Sequence, residues 1–202
     1  FGDVYAGYIA KKMGLPINKF IVATNQNDIL HRAISNGDYK SNEVEETISP
    51  SMDIQVASNF ERLLYDLYNK NSEKVKNIMR CIKDNSFKIE QDKLKDLQND
   101  FDSESLNETE IINIIKKYYK ENKVIIDPHT AIGVGAVEKL NLSDVVILST
   151  AHPCKFPVAI EKAISKTEKL PESLNYVNDK QERFDVIPND LEKVKNYILR
   201  SI

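Results

Sequence analysis

The sequence predicts an α/β fold with a mostly parallel sheet flanked by helices. Residues 1–37 alternate helix, strand and helix, and the same alternation resumes from residue 124. That order covers a parallel sheet with helices. The chain has 202 residues, 41% hydrophobic and 29% charged. This suits one globular domain with its own core, or a large piece of a bigger one.

The elements follow in order. Asp3 is placed to cap a first helix, in which Val4, Tyr5, Tyr8, Ile9 and Met13 recur with helical spacing. Gly14 and Pro16 stop it. Residues 19–24 are a short buried-strand signal. Asn25 or Asn27 can cap the next helix, which ends near Gly37. Residues 38–53 are polar and irregular and close on Ser49-Pro50-Ser51-Met52-Asp53. A helix then carries Val56, Phe60, Leu63, Leu64 and Leu67 on one face.

Residues 70–121 are rich in Lys, Asn, Asp and Glu, with helical periodicity and no β-branched runs. They read as a helical insertion on the surface, whose charge runs fit a solvated face. Its best-defined helix carries Ile111, Ile112, Ile115, Tyr118 and Tyr119. Val124-Ile125-Ile126 is a second strand, followed by Asp127-Pro128-His129-Thr130 and a glycine-containing helix to about Leu140. Residues 145–148 form a third strand, ending in Ser149-Thr150-Ala151-His152-Pro153. A helix starts near Pro157, and the last one near Asn189.

Composition excludes several classes. No apolar run approaches the roughly 18 residues of a membrane helix, and mean hydropathy is −0.43. A net charge of −3 gives no electrostatic case for nucleic acid or an anionic membrane surface. Cys81 and Cys154 are far apart and read as reduced thiols of a cytoplasmic protein. His31, His129 and His152 are too scattered for a zinc motif, so no metal is expected. The chain opens without an initiator Met or a signal peptide, so it is expected to be truncated.

Three segments put polar groups where ligands of open parallel sheets bind. Phe1-Gly2-Asp3 leads straight into a helix, whose free amides and dipole suit a phosphate. The same segment is equally an ordinary helix start. Ser149-Thr150 ends a strand, where a hydroxyl can meet a heteroaromatic nitrogen or satisfy local backbone. His129 can be a base, a phosphate donor, or a structural residue beside a turn.

Five ordered blocks together carry a resemblance: Phe1–Pro16, Ala23–Leu30, Ser49–Val56 with Asn59-Phe60-Glu61-Arg62, Asp127–Gly133, and Thr150–Pro157. The chain resembles the threonine synthase family, with residues 70–121 covered least. The resemblance implies a C-terminal part of a fold-type-II catalytic domain that binds pyridoxal 5'-phosphate. It implies conversion of O-phospho-L-homoserine and water to L-threonine and phosphate, the last step of threonine biosynthesis. Phe1, Gly2 and Asp3 match the second half of the family's cofactor-phosphate loop. Thr150 matches the hydroxyl partner of the pyridine nitrogen. Ser51, Asn59, Arg62 and His129 are candidates for the substrate.

The family's Schiff-base lysine lies in a His-Gly-Pro-Thr-like block, and no such block occurs here. Lys155 follows the pyridine-nitrogen contact and is not that lysine by motif. The chain alone is therefore expected to be inactive, with its missing N-terminal part as partner. It would also lose sheet neighbours, exposing strand edges and apolar surface. Two other readings stand beside this one. A different fold-type-II lyase is opposed by the Ser49–Asp53 and Asn59–Arg62 blocks. A non-catalytic threonine-synthase-like binding protein would keep the phosphate pocket without the lysine.

Overall fold

In a computed structural model, residues 1–83, 87–177 and 179–201 are described. The chain divides into two compact units, Phe1–Glu168 and Lys169–Ile202. The first unit contains helices α1 (Gly2–Lys12), α2 (Ile29–Asn36), α3 (Phe60–Leu67), α4 (Ser72–Lys83), α5 (Gln91–Asp100), α6 (Glu108–Asn122), α7 (Pro128–Lys139) and α8 (Pro157–Ile164). Its strands are β1 (Phe20–Thr24) and β2 (Phe101–Ser105). The second unit holds a short 3-10 turn and helix α9 (Leu191–Ser201).

β1 and β2 pair in parallel, with Phe20 opposite Phe101 and Thr24 opposite Ser105. Successive side chains of a strand face opposite ways, and both faces of this sheet are covered. Val22 and Phe101 join a core built from α1 to α5. Ile21 and Ala23 pack on a second core, built around Leu106, Ile111, Ile115, Ile132 and Ile160. Rings tie the first core together. Phe20 and Tyr8 lie 5.4 and 5.5 Å from Phe101, and Phe1 stands edge-on to Phe60 at 5.2 Å. Each such pair adds roughly 0.5–1.5 kcal/mol beyond its buried area.

Local chemistry sets the element ends. Asn107 and Glu110 form a reciprocal capping box at the start of α6. Gly37 ends α2 with φ 80°, a left-handed turn. Asp127 caps α7, which begins with Pro128. Inside α7, Gly135 lies where an added Cβ would overlap the side chain of Leu106. The helix thus docks directly on the residue that follows β2.

Several expectations need correction. Asp3 is not the cap of α1. Phe1 is, with no side-chain hydrogen bond, and Asp3 lies in the first turn. Neither Asn25 nor Asn27 caps α2, which starts after Asp28, because both amides are spent on the loop described below. Val56 precedes α3 and is exposed.

Residues 70–121 are helical over α4, α5 and α6, but they are not a surface addition. They contain β2, and Leu94, Leu97, Phe101, Leu106, Ile111 and Ile115 are core residues. Residues 124–126 and 145–148 form no ladder among the described residues. A run of apolar residues becomes a strand only where a neighbouring backbone pairs with it.

Candidate active site

The carboxyl ends of β1 and β2 open onto a buried polar knot. Asn25 Nδ2 donates to Ser49 Oγ at 2.9 Å and to Asp53 Oδ1 at 2.8 Å. Asn27 Nδ2 also donates to Asp53 Oδ1, at 3.0 Å. Thr47 donates to both Asp53 oxygens, through its hydroxyl at 2.7 Å and its amide at 2.8 Å. Asn27 and the Glu45 backbone exchange two bonds, at 2.8 and 2.9 Å. Ser105 Oγ closes the knot on the Asn25 carbonyl at 2.8 Å. Residues 45–53 are therefore pinned over the strand ends, where ligands of parallel sheets bind.

His129 meets this loop from the other side. The Ser51 amide donates to His129 Nε2 at 3.3 Å. An amide can only donate, so Nε2 carries the lone pair and the ring proton sits on Nδ1. Nδ1 lies 3.0 Å from Asp127 Oδ1, which also accepts from the His129 amide at 2.9 Å. The ring packs on Phe156 at 4.7 Å. Both ring nitrogens are thus engaged.

Thr130 donates its hydroxyl to Asp127 Oδ2 and lies 3.3 Å from Ser149 Oγ. Burial pushes the Asp127 carboxyl up. The bonds from His129 and Thr130 outweigh burial and hold it below the ordinary aspartate range. The Asp127 carboxylate thus faces the Nδ1–H of His129 in this arrangement.

The start of α1 forms the next part. The first helical bond there runs from the Tyr5 amide to the Phe1 carbonyl at 3.0 Å. The amides of Gly2, Asp3 and Val4 precede it and have no helical acceptor, and no side chain caps them. Asn59 lies against them, its Nδ2 3.4 Å from where a Cβ on Gly2 would sit. Asn59 also heads α3, which carries Arg62. Arg62 is exposed and forms no ion pair among the described residues. It is close enough to oppose the rise that burial and the Asp66 bond impose on the Tyr5 hydroxyl.

The residues singled out from the sequence thus fall into groups. Gly2 and Asn59 touch, with Phe1 packed on Phe60 and Arg62 one turn further along α3. Ser51 and His129 touch. Thr150 is exposed, and its neighbour Ser149 is tied to Thr130. Asp3 is exposed in the first turn of α1. No hydrogen bond joins Thr150 to the start of α1 among the described residues. Asn25, Asp53, Asp127 and Thr130 were not among the candidates. The available signal was their position, just past β1 and at a helix cap.

Comparison with known proteins gives a consistent picture. Residues 130–198 match the family model described as "Threonine synthase, C-terminal". A protein named threonine synthase from Pseudomonas aeruginosa is 41% identical over 203 residues, covering 98% of this chain and 43% of that protein. A solved structure of PLP-bound threonine synthase from Brucella melitensis is 38% identical. It superposes with a TM-score of 0.89 over 99% of this chain and 44% of that one. Yeast threonine synthase is also 38% identical, with a TM-score of 0.85 over 100% of this chain and 46% of its own. The chain spans less than half the length of these relatives.

Proposed function

The chain belongs to the threonine synthase family, and from that premise we propose that it forms the C-terminal part of a threonine synthase catalytic domain. That enzyme converts O-phospho-L-homoserine and water to L-threonine and phosphate, with pyridoxal phosphate as cofactor. The observation that carries the proposal is the free start of α1: three amides without helical acceptors and no capping side chain, with Asn59 against Gly2.

The donor set fits the cofactor. Gly2 and Asp3 offer backbone amides to its phosphate dianion, at a helix start headed by Phe1. Thr150 offers a neutral hydroxyl, able to donate to or accept from the ring nitrogen. When bound, pyridoxal phosphate supplies the electron sink for bond changes at the substrate carbons.

The remaining roles belong to this chain's own residues. Arg62, Asn59 and Ser51 hold the substrate phosphate, Arg62 as the cation and the other two as neutral donors. With both nitrogens engaged, His129 keeps Ser51 in place. The buried knot around Asp53 fixes the same loop and keeps water from its underside. The lysine that binds the cofactor and moves protons at the substrate carbons comes from the portion of the relatives that this chain does not span. Lys155 does not replace it. We place the enzyme in the cytoplasm. No helix among the described residues is long and apolar enough to cross a membrane.

The test is phosphate release from O-phosphohomoserine, measured on this 202-residue chain and on the protein expressed from its complete coding sequence. Turnover is expected from the second and none from the first. Turnover by the chain alone would overturn the placement of the lysine. A complete protein that binds the cofactor but releases no phosphate would overturn the activity.

A further inference from the structure

We propose that Asp127 is a positioning residue that holds two separate parts of this site through two arms. The proposal rests on the reading above for what each arm positions. One arm runs through His129 to the Ser51 amide. The other runs through Thr130 to Ser149, the residue before Thr150. Asp127 is only 1% exposed; Oδ1 takes His129 Nδ1 together with the His129 and Thr130 amides, and Oδ2 takes Thr130 Oγ1. The arms reach across 78 and 19 residues of sequence, yet both start in the first turn of α7.

The chemistry of each arm depends on an acceptor oxygen of Asp127. An Asp that only accepts fixes the ring proton of His129 on Nδ1. Nε2 is then left as the acceptor that Ser51 needs. Thr130 Oγ1 is placed as a donor to Asp127 Oδ2 and to Ser149 Oγ, so the carboxylate holds the hydroxyl oriented beside Ser149. Asp127 thus sets the polarity of the first chain of hydrogen bonds and the orientation of the second.

Asp127→Asn separates this role from folding. Asn is as good a helix cap as Asp, so α7 is expected to form. A capping Asn keeps its oxygen at the Oδ1 position, where it still accepts from the His129 amide and ring, and turns its NH2 group toward Thr130 Oγ1, so it disturbs the second arm alone. Asp127→Ala removes both acceptors. The Nδ1–H form of His129 is then no longer imposed, and in the other tautomer Nε2–H would face the Ser51 N–H, donor against donor, and the clamp opens.

The experiment uses the protein expressed from its complete coding sequence, with four variants and three measurements. These are hydrogen exchange of the 49–53 segment, pyridoxal phosphate binding by titration of the apoprotein, and KM for O-phosphohomoserine. His129→Leu is expected to speed exchange in 49–53 and raise KM, with cofactor binding unchanged. Thr130→Val is expected to weaken cofactor binding and leave 49–53 exchange unchanged. Asp127→Asn is expected to weaken cofactor binding alone, and Asp127→Ala to do both, each by about 10- to 100-fold, as partners behind first-contact ligands typically do.

If Asp127→Ala moves neither exchange nor cofactor binding by more than about twofold, the proposal is wrong. It is equally wrong if both single-arm variants shift both measurements alike, which would mean a general loss of packing. Exchange and cofactor titration do not require turnover. A wild-type protein with no activity therefore overturns the function proposed above while still leaving the two arms measurable.

Discussion

Residues 20–23 and 145–148 look alike as sequence, each a short run of Phe, Ile, Val, Ala or Leu, and they end up in opposite environments. The first lies in β1, paired along its length with β2 and covered on both faces, with Val22 3% exposed. The second has no ladder among the described residues. Val146 is 90% exposed and Leu148 58%. Only Ile147 is partly buried, and it packs so tightly on α7 that a Cβ on Gly133 would come within 2.9 Å of it. The difference teaches that hydrophobicity marks a segment that needs covering, while the partner decides whether it becomes a strand.

This contrast can be attacked where the effect is largest. Phe101→Ala removes the ring that faces Phe20 and Tyr8 in the first core and is expected to cost about 3–5 kcal/mol in urea unfolding. A loss under about 1 kcal/mol would mean that β2 does not organise the covered side.

A smaller effect comes from the same core in alkali. Tyr39 is buried, donates to the Ala57 carbonyl at 3.3 Å and accepts from the Ala57 amide at 2.9 Å. Burial, opposed by the bond from the Ala57 amide, pushes its hydroxyl from 10.0 up to about 12. A raised value means that the folded state holds the proton more tightly than the unfolded chain. Its contribution is full below pH 10 and is lost as pH rises through 12. The loss reaches roughly 2.5 kcal/mol. Tyr39→Phe is expected to flatten this alkaline slope in melting temperature against pH. An unchanged slope would remove Tyr39 as its source.

Gly135→Ala tests the dock between α7 and β2. Its methyl would fall on Leu106, and the expected cost is about 1–3 kcal/mol from overpacking. Helix propensity alone would predict a gain for this change, so the sign decides between the two effects. At the open end of the comparison, Val146→Lys should change stability by less than about 0.5 kcal/mol. It should also raise the soluble fraction of the 202-residue chain. A large destabilisation would mean that Val146 is covered.

The parts legible in the sequence were those with local signals. Pro128 and Pro157 each open a helix where they stand, and Gly37 closes α2. The Ile111, Ile115 and Tyr118 spacing marks α6. β2 was not legible. Its five residues are Phe, Asp, Ser, Glu and Ser, and Ser103 is buried because its hydroxyl pairs with His31, 72 residues away. A polar residue that finds a distant partner leaves no hydrophobic trace.

The candidate site divides the same way. Phe1 to Asp3 declare a helix start, and Ser51, Asn59 and Arg62 stand in recognisable blocks. The Asn25–Asp53 bond joins residues 28 apart, a pairing no local pattern announces. Asp127 read only as part of a turn, since its role depends on which groups three elements bring to it.

The pairing of β1 with β2 also sets an order of events. Thr24 and Glu104 are 80 residues apart in sequence, so the first strand is made long before its partner exists. At about 5–20 residues per second of synthesis, that interval is roughly 4 to 16 s. Throughout it, β2 is not there to pair with β1, and only residues already synthesised can cover its edge and apolar face. A long-range contact of this kind must also meet its loop-closure cost before any pairing rewards it. The strand that anchors the site is therefore the one most in need of shelter on the nascent chain, and interference with folding should register there before it registers in the helices.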